Sequence, residues 1–441
     1  MLDACHPFDG RVRVRILKLS ILLFSLFFYL YGVQFEFLPT YTSRFVLFAA
    51  WTYLALIFFT KRHIQLPFEF FIIAVVYSTT IAWVILISAL YNFSDISVLF
   101  SIALLFFSAF LGGLFFALIL KKMEFKFYQV IQVVQLVIVF QAFFIVLYFI
   151  SWDFREFTFA YIPETGRIDH RENLFRSRGL TGGASATLSL KQSLGLLFTI
   201  YLISGVRWRS KQFVYLLLSF GLIFWSVILT GRTGLLMIPI VFLYVLVLLL
   251  LRQKLSKNLI FFVLGLPVIS FLSFAFLRLG YEYILGGFTT PWSEDGFDLL
   301  IRWVSSEFIN SEGLIRSRTA QALMSSHWFL PEDGLVLFFG DPTTWLVNRI
   351  PSDIGIVRLW HSVGLIGMLL IYCLFALVFL ISILKARGIE ARVFLFMLAF
   401  FLFATEMKEP FLTNVSVNSF FIMIFCYLVI YDRVDIKRIN V

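Results

Sequence analysis

The chain alternates long apolar runs with short polar breaks almost from end to end. Apolar runs cover 17–37, 43–60, 68–90, 97–120, 127–150, 186–204, 212–230, 233–251, 259–277, 356–384, 392–408 and 414–431. Most come near the ~20 residues a helix needs to cross the hydrocarbon layer. The run 43–60 is marginal, and 392–408 stops close to Pro410. Backbone amides in lipid find no water, so such runs must close their hydrogen bonds internally, as helices. The pattern predicts an all-α polytopic membrane protein with about twelve transmembrane helices, one integral membrane domain over 1–441. Two segments interrupt the rhythm and are expected to be large loops, 152–185 and 278–355. Within the second, 297–309 and 313–327 have the mixed spacing of short helices lying on a membrane surface. Phe338-Phe339-Gly340-Asp341-Pro342 reads as a turn.

The polar breaks alternate in charge. Arg11, Arg13, Arg15, Lys18; Lys61, Arg62; Lys121, Lys122, Lys126; Arg207, Arg209, Lys211; Arg252, Lys254, Lys257; Lys385, Arg387, Arg392; and Arg433, Lys437, Arg438 all fall on one side. They make 21 of the 36 basic residues and sit in short segments. The positive-inside rule makes this side the cytoplasm, with both termini there. The basic N-terminal stretch before the first apolar run resembles a secretory signal, but no small-residue cleavage site follows, so it is read as an uncleaved first helix.

Composition fits the same picture. The chain is 61% hydrophobic, with 57 Phe, and 14% charged, against about 45–50% apolar and about 25% charged in soluble domains. The net charge of +10 is read as loop charge that sets orientation, not as a nucleic-acid surface. Cys5, Cys373 and Cys426 lie away from the long loops, so no disulfide is expected there, and Cys and His never gather at metal-ligand spacing.

The remaining 15 basic residues lie on the outward side, and only Lys191 and Lys408 among them are Lys. Long loops escape the charge rule, but a merely solvated surface has no reason to favour Arg so strongly. Arg is favoured where a planar, permanent cation must grip phosphate or carboxylate. The sequence has neither a GxxxxGK[ST] loop nor a Rossmann fingerprint, so the energy for a reaction must come from a substrate already in the membrane.

The sixth, eighth and tenth runs start on the outward side, where helix N-termini offer free N–H groups and partial positive charge. Each start carries arginine. Arg176-Ser177-Arg178-Gly179 precedes the sixth, Thr230-Gly231-Arg232-Thr233-Gly234 precedes the eighth, and Ser352-Asp353-Ile354-Gly355 leads to Arg358 and His361 at the tenth. Ser352 or Asp353 is expected to cap that helix, and Arg358 and His361 share a face. Arg232 also reads as an interfacial anchor, and His361 as a satisfied interior histidine. Arg358 opposes the dipole of its helix start. Gln129, Gln132, Gln135 and Gln141 suit interhelical hydrogen bonds better than sugar binding. Glu406 would be costly facing lipid and is expected to face a cavity or to pair with Lys408.

At these residues the sequence resembles the O-antigen polymerase and ligase superfamily, most of all the Wzy-type polymerases. The resemblance covers the layout and rests locally on Arg176-Ser177-Arg178-Gly179 and Thr230-Gly231-Arg232-Thr233-Gly234. It rests also on the stretch from Arg316-Ser317-Arg318 to Leu337-Phe338-Phe339-Gly340, and on Ser352 through Gly367. Arginines followed by glycine after ten residues, a Wzy-like spacing, occur at Arg155/Gly166, Arg171/Gly182 and Arg302/Gly313. In the ligase branch a glycine pair follows the loop histidine by about ten residues. Here only two and five residues separate His361 from Gly364 and Gly367, which favours the polymerase. The resemblance implies a GT-C-like fold in a bacterial inner membrane with two periplasmic loops. It implies a transferase, needing no cofactor or metal, that moves a glycan from undecaprenyl pyrophosphate to the sugar hydroxyl of a new lipid-linked repeat unit. A chain-length regulator protein is an expected partner. Arg176, Arg178, Arg232 and Arg358, and less directly Arg316 and Arg318, would stabilise the leaving pyrophosphate. His361 is the first candidate base, with Asp353, Glu172 and Glu282 behind it. An O-antigen ligase and a lipid-linked oligosaccharide flippase are the alternatives. A flippase is expected to carry charges at mid-membrane and short loops.

Overall fold

The computed structural model describes residues 10–60, 66–163, 176–182, 185–207, 209–251, 327–345, 352 and 354–438. These residues form helices and no strand. In chain order they are α1 (Gly10–Tyr31), α2 (Thr42–Thr60), α3 (Phe68–Leu90), α4 (Ser97–Lys122), α5 (Phe127–Ile150), α6 (Trp152–Tyr161), α7 (Ala186–Gly205), α8 (Lys211–Thr230), α9 (Arg232–Leu236), α10 (Ile238–Leu251), α11 (Gly334–Phe339), α12 (Gly355–Lys385), α13 (Ile389–Thr405) and α14 (Val415–Arg438). Among the described residues, eight helical stretches are long and apolar enough to cross a membrane, and the apolar parts of α1 and α14 are shorter. The architecture is that of a multi-pass membrane protein.

Eleven of the twelve apolar runs coincide with helices; 259–277 lies outside the described residues. The boundaries differ where backbone geometry intervenes. The first helix stops at Tyr31 rather than 37, because Gly32 turns the chain at φ +58°. The eleventh stops at Thr405 rather than 408, and Glu406 leads into a turn closed by a 3-10 segment, Phe411–Thr413. The stretch 152–185, expected to be loop, begins with the helix α6, whose first turn is capped by Ser151 Oγ on the Phe154 amide. The surface helices expected at 297–309 and 313–327 lie almost wholly outside the described residues. The Phe338-Phe339-Gly340-Asp341-Pro342 stretch ends α11, turns at Gly340 and enters a 3-10 turn, Pro342–Trp345.

Burial falls off from α7 outward. In its apolar window 89% of residues are buried, against 17% in α2 and 28% in α3. α7 packs against α5, α8, α9, α10 and α13. Phe48, Phe59 and Phe71 stand exposed on α2 and α3, as side chains facing lipid would. A central helix can hold polar residues only if each is paired, and α7 does so. Ser189 Oγ donates to Gly231 O at 2.7 Å and accepts from Gly234 N at 3.0 Å. Ser193 Oγ donates to Gly234 O at 3.1 Å. Gln192 donates to Tyr31 Oη and accepts from Ser226 Oγ. A Cβ at Gly234 would collide with both Ser189 and Ser193, so glycine is what lets α9 lie on α7.

The helices alternate between two ends of the bundle. One end carries 32–41, 91–96, the segment around 151–162, residues 176–182 and 185, residue 231 and the turn 406–414; it is the loop end below. The short turns at 123–126, 206–207 with 209–210, and 386–388 form the opposite, short-turn end.

Candidate functional site

The loop end holds two arginine-bearing helix starts. The first is that of α7. Ser185 precedes it in extended backbone and its Oγ accepts from Leu188 N at 3.2 Å. Residues 176–182 reach this point from α6, and Ser177 N donates to Leu229 O at 2.8 Å. That bond ties the segment to the last turn of α8, two residues before Gly231. Gly231 lies against Ser185 and Ser189, and Arg232 opens α9. Two motifs more than fifty residues apart thus converge on one helix N-terminus.

The three arginines here differ. Arg178 is fully buried. Its guanidinium donates to Gly182 O at 3.3 Å and to Thr158 O and Ile162 O at 3.1 Å each, and its Cζ lies 4.8 Å from the Phe159 ring centre. Gln141 Nε2 and Thr181 Oγ1 both donate to its carbonyl. A side chain with these bonds clamps the segment to α6 rather than reaching for a ligand. Arg155, also buried, stacks over Tyr148 at 4.8 Å and lies 5.8 Å from the Phe159 ring centre. Arg176 is only half-buried.

The second start is that of α12, and it departs from expectation. Ser352 does not cap it. The residue before the helix is Ile354, whose amide donates to Ser352 Oγ at 3.1 Å, while that hydroxyl donates to His327 O. The first helix amides, Gly355 N and Ile356 N, instead donate to the backbone oxygen of Glu406 at 2.8 and 3.3 Å. A carbonyl from the 406–414 turn occupies the position an anion would take. Arg358 donates to Trp345 O at 3.0 Å and lies over the Trp345 ring at 5.4 Å. His361 Nε2 is 3.4 Å from Phe329 O, and its ring meets the Phe329 ring edge-on. Both face the 327–345 segment, as their spacing requires. That segment is docked tightly, with Asp341 N donating to His361 O and Trp360 Nε1 to Leu337 O. α12 is broken at Gly364, at φ +69°, where the backbone of Phe338 and Phe339 leaves no room for a Cβ.

The turn 406–414 joins the two starts. Beyond capping α12 with its carbonyl, Glu406 buries its carboxyl, which accepts from Leu412 N. Burial pushes its pKa up to about 8. At the turn's far end Asn414 Nδ2 donates to Thr187 Oγ1, in the first turn of α7, at 3.2 Å.

Of the other expected site residues, Asp353, Glu172, Glu282, Arg316 and Arg318 lie outside the described residues, as do Gly166, Arg171, Arg302 and Gly313. Gln141 bonds to a loop carbonyl, and Gln129 caps its own helix at Lys126 N. Lys191 was legible only as one more outward cation. In the structure it is buried in α7, donates to Leu30 O at 2.6 Å and lies 5.1 Å from the Tyr31 ring centre. Its neighbours Gln192 and Ser193 in an otherwise apolar run were the available signal. No protein-family model matches the chain, and no curated protein matches it.

Proposed function

We propose that this protein is a GT-C-like polysaccharide polymerase of a bacterial inner membrane. It would join undecaprenyl-pyrophosphate-linked repeat units at the periplasmic face, with both termini in the cytoplasm. The observation that carries the reading is the meeting of 176–182 with 229–234 at the start of α7, through the 2.8 Å bond from Ser177 N to Leu229 O. Under this reading the loop end is periplasmic.

The reaction breaks the bond from the anomeric carbon of the growing glycan to pyrophosphate, and a sugar hydroxyl of the incoming unit forms the new one. Charge develops on the lipid pyrophosphate as it leaves. Arg176, Arg232 and the first amides of α7 are the groups suited to stabilise it, because cations and backbone dipoles fixed in advance need not reorganise. Arg178 is a positioning residue that holds Arg176 through the segment it clamps. The proton of the attacking hydroxyl goes to a base, for which His361 is the first candidate.

Deletion tests the reading. Without a polymerase, surface molecules carry a single repeat unit. Loss of a ligase would leave bare acceptor with long polymer on the carrier lipid, and loss of a flippase would leave single units on the cytoplasmic leaflet. Gel profiles of surface polysaccharide, with chain length on the carrier, separate the three. Full-length polymer in the deletion strain would overturn the proposal. An unchanged ladder in His361→Ala would remove His361 as the base.

A further inference from the structure

A second site stands at the opposite end of the bundle. A cavity of about 880 Å³ lies between α1, α4 and the start of α5, with Tyr53 of α2 on its wall. Its shaft is apolar, built from Leu22, Phe115, Phe116 and Ile119. It extends along α1 from Lys18 to Ser25, a rise of ~10 Å at 1.5 Å per residue. Ile21, on its rim, is exposed, so the cavity opens sideways toward lipid. Its charged residues are confined to the short-turn end: Lys18 and Lys122, with Glu124 beside them.

These two lysines differ from others near this end. Lys121 donates to Ile430 O at 3.1 Å, and Lys385 pairs with Glu69 at 2.8 Å. Lys18 and Lys122 are exposed and, among the described residues, engage no hydrogen-bond or ion-pair partner. An apolar shaft with unengaged cations only at its mouth matches an amphiphile with an anionic head; a free anion has no use for the shaft. We propose that the cavity holds an anionic diacyl phospholipid of the adjoining leaflet, acyl chain along the shaft and phosphate on Lys18 and Lys122. By the charge pattern that leaflet is the cytoplasmic one, where anionic lipids bind basic pockets between transmembrane helices. Among the described residues, Glu124 leaves the mouth with one excess positive charge, and it opposes the head group. This site does not depend on the proposed polymerase activity.

The full chain, purified in detergent, is mixed with phosphatidylglycerol, phosphatidylcholine or a polyprenyl phosphate at equal mole fraction, and retained lipid is read by native mass spectrometry. Phosphatidylglycerol is expected to be kept in preference to the other two. Lys18→Gln and Lys122→Gln should each lower its retention about fivefold, and Glu124→Gln should raise it. Lys211→Gln, at the same end but away from the cavity, should change nothing. Equal retention of phosphatidylcholine, or a Lys211→Gln loss as large as the others, would reduce the site to unspecific surface charge and overturn the proposal. A preference for the polyprenyl phosphate would replace the occupant, and a loss in Glu124→Gln would reject the anionic head group.

Discussion

The starts of α7 and α12 look alike as sequence: small or polar residues, an arginine within a few positions, then a long apolar run. They are built differently. At α12 the first two amides are taken by the carbonyl of Glu406, and Arg358 is stacked on Trp345. At α7, among the described residues, a single serine caps one amide, and two arginine segments gather around the start. The dipole argument for anion binding therefore fails at α12, and it is the proposal for α7 that rests on it. A helix N-terminus is an anion site only when its own protein leaves it open.

The largest expected effect sharpens the division of labour around α7. Arg178→Ala would strand the three carbonyls that accept from it, and each buried acceptor left unsatisfied costs about 1–3 kcal/mol. Folded protein should fall sharply in detergent-solubilised membranes, measured by size-exclusion yield and thermal unfolding, with activity lost along with it. A well-folded Arg178→Ala would mean that the clamp is dispensable. Arg176→Lys and Arg232→Lys should behave differently, with normal protein levels but about tenfold or greater loss of polymer synthesis. A point ammonium keeps the charge and loses the planar fork, and a charged hydrogen bond is worth about 1.5–3 kcal/mol. Full activity in both would break the anion-site side of the comparison.

At the α12 start the effects are local. Gly364→Ala would place a Cβ against Phe338 and Phe339 and impose a left-handed residue worth about 1–2 kcal/mol. Residues 334–345 should become more sensitive to protease while the α7 region stays protected. The smallest effect is a pH slope. Because burial holds Glu406 protonated up to about 8, the folded state keeps a proton that the unfolded chain releases near its ordinary value. That stability is complete below the ordinary carboxyl range and falls as pH rises toward 8, so the unfolding midpoint should drop between about pH 5 and pH 8. Glu406→Gln should flatten the slope, and an unchanged slope would place the titrating group elsewhere.

What could be read in the sequence was what depends on local chemistry. Length and apolarity located eleven described helices, because a lipid-crossing segment must satisfy its backbone within itself. The approach of the 176–182 and 230–234 motifs was legible only as two arginine-rich helix starts on one face. Their contact needed Gly231 and Gly234 to settle on Ser189 and Ser193, residues 41 to 45 positions away along the chain. Nothing in Arg176-Ser177-Arg178 says which arginine faces inward. That was decided by the carbonyls of Thr158 and Ile162 at the end of α6, which no spacing rule connects to Arg178. The occupation of the α12 start by Glu406 was hidden for the same reason: its donor and acceptor are some fifty residues apart, and hydrogen bonds over such distances are chosen by how helices pack, not by the residues that flank them.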